Sequence, residues 1–202
     1  MVKIVCHRGS VDLKNKYLIV AILLTFVLSN MGCSSSSSDI KQYLTRDSVI
    51  DTKAKDIMPN INDLPTHEDM QYISTHKSMI LYESDSIALI VDYDNETYEA
   101  EKIKLDEKYT FLKEKVKSTY DETKYFIPEN EFSINTYNFR VIDSSQSTNI
   151  EFPKSFGIIG TSDDKKSIAY LYFYDFDLDY IGEENEENPM AEFVKAYFDY
   201  DF

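Results

Sequence analysis

The chain has two cysteines, and a thiol is the side chain here that most readily takes a covalent modification. Cys6 lies near the start among basic residues, whereas Cys33 follows an apolar run at residues 17–28 and precedes five serines. Two cysteines are too few for a thiolate metal cluster. The chemistry that this arrangement predicts is therefore modification of Cys33.

The residues before Cys33 are typical of an export signal. Residues 1–16 hold four basic residues and one acidic residue, and the apolar run that follows is twelve residues long. A helix that spans a bilayer needs about 20 apolar residues, so this run fits the core of a signal peptide better than a permanent span. An uncleaved anchor and an ordinary secretory signal remain the alternatives.

A basic start, a short apolar core and then Gly32-Cys33 resemble the lipobox of bacterial lipoproteins. In that family a diacylglyceryl group is attached to the cysteine thiol, and a peptidase then cuts before the cysteine. The resemblance implies cleavage between Gly32 and Cys33 and lipidation (palmitate-type acyl chains) at Cys33. It also implies a location on the extracytoplasmic side of the cell membrane, or on the outer membrane of a diderm source.

The charge of the chain limits its partners. The net charge is -15, and 17 basic and 35 acidic residues remain once residues 1–32 are removed. Such a surface repels phosphate, so we expect no nucleic-acid partner and no charge-based adhesion to anionic lipid. The composition favours a membrane contact through a lipid anchor and a protein partner with a basic surface.

Acidic residues near the C-terminus are the first candidates for a metal site. Asp175, Asp177 and Asp179 alternate along a strand-like segment, with Glu183 and Glu186 nearby. Oxygen ligands at this spacing resemble a calcium loop, but Tyr180 stands where the sharp turn needs glycine. We therefore expect a solvated strand edge and no metal site, with Asp175, Asp177, Asp179 and Glu186 as the weak candidates.

No catalytic motif was found in the sequence. His67 and His76 are the histidines after Cys33, and we interpret both as surface residues, with a metal site or a general base as the alternative. The motifs HExxH, GxSxG, the P-loop and GxGxxG are missing. We expect no enzyme activity and no cofactor, and an envelope hydrolase that uses carboxylates or histidines is the alternative.

The first half of the folded part predicts a hairpin and a helix. Residues 78–93 form the hairpin around a polar turn at 83–86, and residues 87–91 read as a central strand covered on both faces. Asp94 or Asn95 caps the helix that follows. Its apolar face runs from Tyr98 to Val116, and the alternative ends the helix near Glu107 and makes residues 109–112 a strand.

The second half predicts further strands and a last helix. Residues 131–142 have strand composition, with either a β-bulge or a break at Asn135-Thr136. Residues 155–161 and 167–180 form a second hairpin, whose last strand keeps its even positions buried throughout. Asn188 caps, and Pro189 starts, a final helix.

These elements predict three parts of the chain and one fold class. Residues 1–32 are the signal peptide, residues 33–69 are the lipidated cysteine, a serine-rich tether and an irregular arm, and residues 70–202 are one globular domain. The fold class is α+β, with an antiparallel sheet from two hairpins and a further strand and with one or two helices packed on it. The predicted function is a membrane-anchored lipoprotein with an extracytoplasmic binding domain; an acidic cation-binding protein is a further alternative.

Overall fold

A computed structural model describes residues 33–44, 49–79, 82–143, 154–182 and 186–202. The predicted signal peptide at residues 1–32, including Gly32, lies outside the described residues. The strands are β1 Cys33–Ser37, β2 Asp69–Met79, β3 Tyr82–Asp92, β4 Val116–Lys117, β5 Tyr125–Ile127, β6 Glu131–Ile134, β7 Tyr137–Val141, β8 Lys154–Ser162 and β9 Ser167–Asp175. The α-helices are α1 Val49–Ala54, α2 Asn95–Lys108 and α3 Pro189–Phe198.

Seven strands form one antiparallel sheet in the order β1-β2-β3-β9-β8-β7-β6, and β4 and β5 form a small second sheet. The prediction of an antiparallel sheet with helices is confirmed as a mixed α+β fold, but the sheet is larger than predicted. None of the helices within the described ranges is long and apolar enough to cross a lipid bilayer.

The first hairpin is longer than predicted, and its turn lies elsewhere. β2 and β3 pair over their whole length, from Asp69 opposite Asp92 to Met79 opposite Tyr82. The predicted turn at residues 83–86 is therefore wrong, because those residues belong to β3 and pair with residues 75–78. Residues 87–91 are buried, as predicted for a central strand, because β2 and β9 flank them and both faces are covered.

The helix that follows begins as predicted and ends early. The Asp94 carboxylate accepts hydrogen bonds from the backbone N–H groups of Glu96 and Thr97, which satisfies donors that the first turn leaves unpaired. The helix ends at Lys108, so the extension of its apolar face to Val116 is wrong. Phe111 instead forms a β-bridge with Ile142, which agrees with the alternative that placed extended chain after residue 107.

The remaining strands resolve the open alternatives. β6 and β7 are two separate strands joined at Asn135-Thr136, where Asn135 adopts a positive φ of 50°. The break is therefore right and the bulge is wrong, because an antiparallel hairpin keeps the apolar residues of both strands on one face. The predicted pairing of β8 with β9 is confirmed, but β9 ends at Asp175, and the exposed side chain of Phe176 ends the run of buried even positions.

The two faces of the large sheet are covered by different elements. The phenylalanine face packs against α3 and β5, and its buried phenylalanines are Phe126, Phe132, Phe139, Phe156, Phe173, Phe193, Phe198 and Phe202. The tyrosine face packs against α2 and residues 54–58, and its buried tyrosines are Tyr43, Tyr72, Tyr93, Tyr98, Tyr109, Tyr170 and Tyr172. Consecutive residues of β9 point to opposite faces, which separates Tyr172 from Phe173.

Residues 33–69 are more ordered than a tether and an irregular arm. The serine run forms the edge strand β1, which pairs with β2 from Cys33 opposite Ser78 to Ser37 opposite Ser74. Tyr43 and Ile57 are buried on the tyrosine face. The flexible tether predicted from the serines is therefore wrong within this segment, because the backbone groups of β2 offer a hydrogen-bonding partner that no local pattern reveals.

Candidate functional site

The candidate sites lie at one end of the strands and at one edge of the sheet. We call the first the anchor end, which consists of Cys33, Met79, Tyr82, Lys154 and Asp175, the strand ends that the register brings to one side. The second lies at the far edge strand, β6. Six strand spacings of about 4.8 Å separate β1, where Cys33 lies, from β6, so these two edge strands are roughly 29 Å apart across the sheet.

A histidine and two carboxylates meet at the anchor end. His76 of β2 lies directly opposite Asp85 of β3, and its Nδ1 is 2.9 Å from the Asp85 Oδ1. Glu83 is two residues away on the same face of β3, and the ligand atoms of all three side chains lie within 4.8 Å of one another. Both partners of the pair are partly exposed, at 39% for His76 and 21% for Asp85. Imidazole and carboxylates in this grouping are chemically able to hold a transition metal or to move a proton.

A hydroxyl continues this row across the sheet. Ser35 of β1 is the register partner of His76, so a serine, a histidine and a carboxylate follow one another on three adjacent strands. Because Asp85 contacts Nδ1 of the imidazole, Nε2 is the nitrogen that remains to take a proton from a hydroxyl. The same order of groups occurs in serine hydrolases, where the three side chains are hydrogen-bonded in series.

The acidic residues predicted as weak metal candidates do not assemble into one group. Asp175 is buried, and its carboxylate accepts a 2.7 Å hydrogen bond from the backbone N–H of Asp177, which bends the chain out of the sheet. Asp177 and Glu186 are exposed, and Asp179 is partly buried. The prediction that the three aspartates continue one strand face is wrong because β9 ends at the first of them. Glu183 lies outside the described residues.

Burial changes the acid–base behaviour of two groups at the anchor end. Burial raises the pKa of Asp175 to about 6, although backbone hydrogen bonds from Asp177 and Leu178 oppose the rise. Lys154 is fully buried opposite Asp175, and burial lowers its pKa. Its Nζ donates to the backbone carbonyl of Asp179 at 3.2 Å and lies 4.8 Å from the centroid of the Phe126 ring. Lys154 therefore connects the start of β8 to the segment after β9.

The far edge of the sheet contains a groove of about 470 Å³, which we call the polar groove. Its floor is the solvent-facing side of β6 and β7, because their apolar residues all point to the phenylalanine face. Helix α2 covers β9 on the tyrosine face but stops short of β6, which leaves this floor open. The charged and amide side chains of the groove are Lys102, Asp106, Glu131, Asn138, Arg140 and Asp163.

Ion pairs hold most of the charges in the polar groove. Arg140 donates to Asp106 at 2.7 Å and lies over the Phe111 ring at 3.8 Å, which fixes the guanidinium against α2. Lys102 donates to Asp163 at 2.5 Å, and the Tyr98 hydroxyl donates to the same carboxylate at 2.6 Å. These hydrogen bonds hold the pKa of Asp163 below its ordinary value.

The polar groove has an excess of carboxylates and a free sheet edge. The groove is lined by three acidic side chains and two basic ones. The third carboxylate, that of Glu131 on the edge strand β6, is exposed. β6 pairs with β7 alone among the described strands, so one edge of it remains available. An acidic groove beside an edge strand suits a partner segment with basic side chains, which can pair along the backbone as well as through its charges.

The sequence located some of these residues and missed others. Cys33 and His76 stood out by type, whereas Asp85 lay in the predicted turn and Glu131 in a predicted strand without a role. The cross-strand register that joins His76 to Asp85 has no local signature. The alternation of Glu131, Ser133, Asn138 and Arg140 with apolar residues is the signal that one face of β6 and β7 stays polar.

Comparisons with known proteins add no identification. The chain matches no protein-family model, no curated protein and no solved structure.

Proposed function

We propose that this protein is a lipid-anchored protein of the bacterial cell envelope, attached through Cys33, whose globular domain binds a protein partner with a basic surface. The observation that supports the combination is the position of Cys33 relative to the polar groove. Cys33 begins the edge strand at the anchor end, and the polar groove lies at the opposite edge of the sheet. Lipid at Cys33 therefore leaves the groove facing away from the membrane.

The acyl anchor follows from the sequence and from elementary energetics. Each buried methylene contributes about 0.8 kcal/mol, so two acyl chains hold stably where one chain does not. Because the exported part has twice as many acidic as basic residues, its charge supplies no general attraction to anionic lipid. Attachment to a membrane therefore needs a covalent or inserted anchor, and the lipid at Cys33 is the one we propose.

Mass spectrometry of the mature N-terminus tests the anchor. We expect a peptide that begins at Cys33 and has the added mass of a diacylglyceryl group. In Cys33→Ser the protein should stay unprocessed or leave the membrane fraction. A wild-type N-terminus with unmodified Cys33 would exclude this part of the proposal.

Charge reversal in the polar groove tests the partner. Glu131→Lys should reduce co-purification of the partner from envelope extract at low salt, because a cation then faces the partner's basic groups. Glu122→Lys is the matched control, since Glu122 is also exposed but belongs to the loop between β4 and β5. High salt should weaken the wild-type interaction, and equal recovery with both variants would count against the groove.

A second candidate function is hydrolysis at the anchor end, which the row of Ser35, His76 and Asp85 favours. In such a site the Ser35 hydroxyl attacks the acyl carbon of an ester while His76 takes its proton and gives it to the departing alcohol, and water then hydrolyses the acyl-serine and restores the hydroxyl. A fluorophosphonate probe should label wild-type protein and Ser36→Ala but not Ser35→Ala. Ser36 is the right control because it is the next residue of β1 and points to the opposite face. The absence of labelling in wild-type protein would exclude this candidate.

A further inference from the structure

The exposed aromatic side chains of this protein are concentrated near the anchor end. The structure describes five exposed large hydrophobic residues, which are Tyr82, Ile103, Tyr120, Tyr125 and Phe176, at 55%, 64%, 77%, 37% and 58% exposure. Tyr82 begins β3, and the backbone N–H of Phe176 donates to the carbonyl of Glu83 at 2.9 Å. Tyr82 and Phe176 therefore lie at the ends of adjacent strands, at the same end of the sheet as Cys33, which is two strands away from Tyr82.

Tyr120 and Tyr125 belong to the β4–β5 hairpin, which is tied to the same end. The Ser118 hydroxyl donates to the carbonyl of Asp179 at 2.8 Å, and the backbone N–H of Ile181 donates to the carbonyl of Tyr125 at 3.1 Å. Asp179 and Ile181 both belong to the segment that follows β9, so the hairpin is attached to that segment. Ile103, on α2, is the exposed apolar residue that lies elsewhere.

The position of Cys33 decides what this end faces. Cys33 pairs with Ser78, and the hairpin tip at Met79 and Tyr82 lies one residue further along the strand, about 3.4 Å away. No tether separates Cys33 from the sheet, because β1 begins at Cys33 itself. A lipid attached to Cys33 would therefore bring the tip to the surface of the bilayer.

The chemistry of this end matches the interface of a membrane. Tyrosine and other aromatic rings favour the headgroup level, where an apolar body and a polar tip are both accommodated. Lysines accompany the aromatic rings, with the Lys115 Nζ 5.6 Å from the Tyr125 ring and the Lys124 Nζ 3.5 Å from the Tyr180 ring. Carboxylates such as Glu83 and Asp177 lie close by, so both signs of charge are present, as they are in a zwitterionic headgroup.

We propose that the anchor end docks directly on the lipid surface, with Tyr82 and Phe176 entering the headgroup region, so that the domain is held in a fixed orientation. This inference rests on the proposed lipid anchor at Cys33 and adds a second contact to it. In the docked orientation the polar groove points away from the bilayer and stays accessible.

Single-tryptophan variants test the docking, because the chain has no tryptophan of its own. Full-length protein is purified with its lipid from the envelope and reconstituted into phosphatidylcholine vesicles, with and without brominated acyl chains. The variants are Tyr82→Trp, Phe176→Trp and the control Ile103→Trp, which replaces a similarly exposed apolar residue on α2. Brominated lipid should quench the first two, whose emission should also shift to the blue, and should leave the control unchanged.

Flotation of the same samples separates the two proposals. Protein that floats with the vesicles but shows equal emission with and without bromine in all three variants overturns the docking and leaves the lipid anchor in place. Equal quenching of all three variants also overturns the docking, because it means that the domain has no preferred orientation. Protein that does not float overturns the anchor, and the docking with it.

Discussion

The phenylalanine face and the tyrosine face are built from the same strands but are completed in different ways. The phenylalanine face is closed largely by helix α3, whose aromatic rings pack on those of the sheet. The ring centroids of Phe173 and Phe193, for example, are 4.7 Å apart. The tyrosine face is closed partly by residues 54–58. Helix α1 ends at the first of these residues, and the others form turns. A regular helix satisfies its own backbone, whereas turns leave carbonyl groups without partners.

Tyrosine hydroxyls supply the missing donors on the second face. The Tyr109 hydroxyl donates to the carbonyl of Ile57 at 2.7 Å, and the Tyr43 hydroxyl donates to the carbonyl of Pro59 at 2.7 Å. Phenylalanine fills a similar volume but has no donor. At these two positions the choice of Tyr over Phe follows the hydrogen-bonding needs of the covering segment, and the following predictions test that explanation.

The largest effect should come from the centre of the phenylalanine face. Phe173 is fully buried and contacts Phe156, Phe193 and Phe198, so Phe173→Ala should lower the free energy of unfolding by about 3–5 kcal/mol. Phe176→Ala is the matched control, because Phe176 follows the same strand but is exposed, and it should change stability by about 0.5 kcal/mol at most. Urea unfolding measures both, and a similar loss in the two variants would contradict the assignment of the core.

Each face contains a glycine on β8 that leaves room for a neighbour. A Cβ at Gly160 would press on the Phe139 ring, which is packed between other aromatic rings, whereas a Cβ at Gly157 would lie 2.6 Å from the Cγ2 of Ile57. Gly160→Ala should cost about 3 kcal/mol, and Gly157→Ala about 1–2 kcal/mol, since a Cβ at Gly157 meets the ends of aliphatic side chains, which adjust more readily than an aromatic ring. Thermal unfolding would show the difference, and the reverse order would mean that Ile57 is held more rigidly than Phe139.

The phenylalanine face also holds the buried carboxyl of Asp175, whose effect should depend on pH. Its pKa is raised from 3.8 to about 6 in the folded state, so the folded protein binds this proton more tightly than the unfolded chain does. The resulting stabilisation is complete below about pH 4 and is lost as the pH rises through about 6. Asp175→Asn should therefore raise the free energy of unfolding by about 2 kcal/mol at pH 8 and change it little at pH 4.

Asp177→Asn is the control for this prediction, because Asp177 is exposed and two residues away. Its stability should follow the wild-type pH profile in urea unfolding. A gain at pH 8 that persists undiminished at pH 4 would show that the ionisation of Asp175 is not its cause.

The smallest effect tests the role of the hydroxyl groups directly. Tyr109→Phe and Tyr43→Phe each remove a donor and leave a carbonyl of residues 57–59 unpaired, at a cost of about 1–2 kcal/mol each. Tyr120→Phe removes the hydroxyl of an exposed tyrosine and should leave the urea midpoint unchanged. Unchanged midpoints in all three variants would remove the explanation for the tyrosine face.

Local patterns in the sequence predicted several elements correctly. The apolar run at residues 87–91 indicated a central strand, Asp94 indicated the start of α2, and Pro189 indicated the start of α3, which begins at that residue without a side-chain cap from Asn188. The lipidation of Cys33 stays a prediction. Each of these signals depends on residues within one or two turns of chain, so propensity and spacing are enough to reveal it.

Tertiary structure alone decided the features that join distant segments. The serine run became β1 because β2 has an open edge, Ile57 packs over Gly157 because that residue has no side chain, and His76 meets Asp85 because Met79 pairs with Tyr82 in the β2–β3 register. A shift of register by one residue would have turned Asp85 to the other face. The sequence thus determined which segments fold regularly, whereas long-range packing and strand register determined which side chains meet.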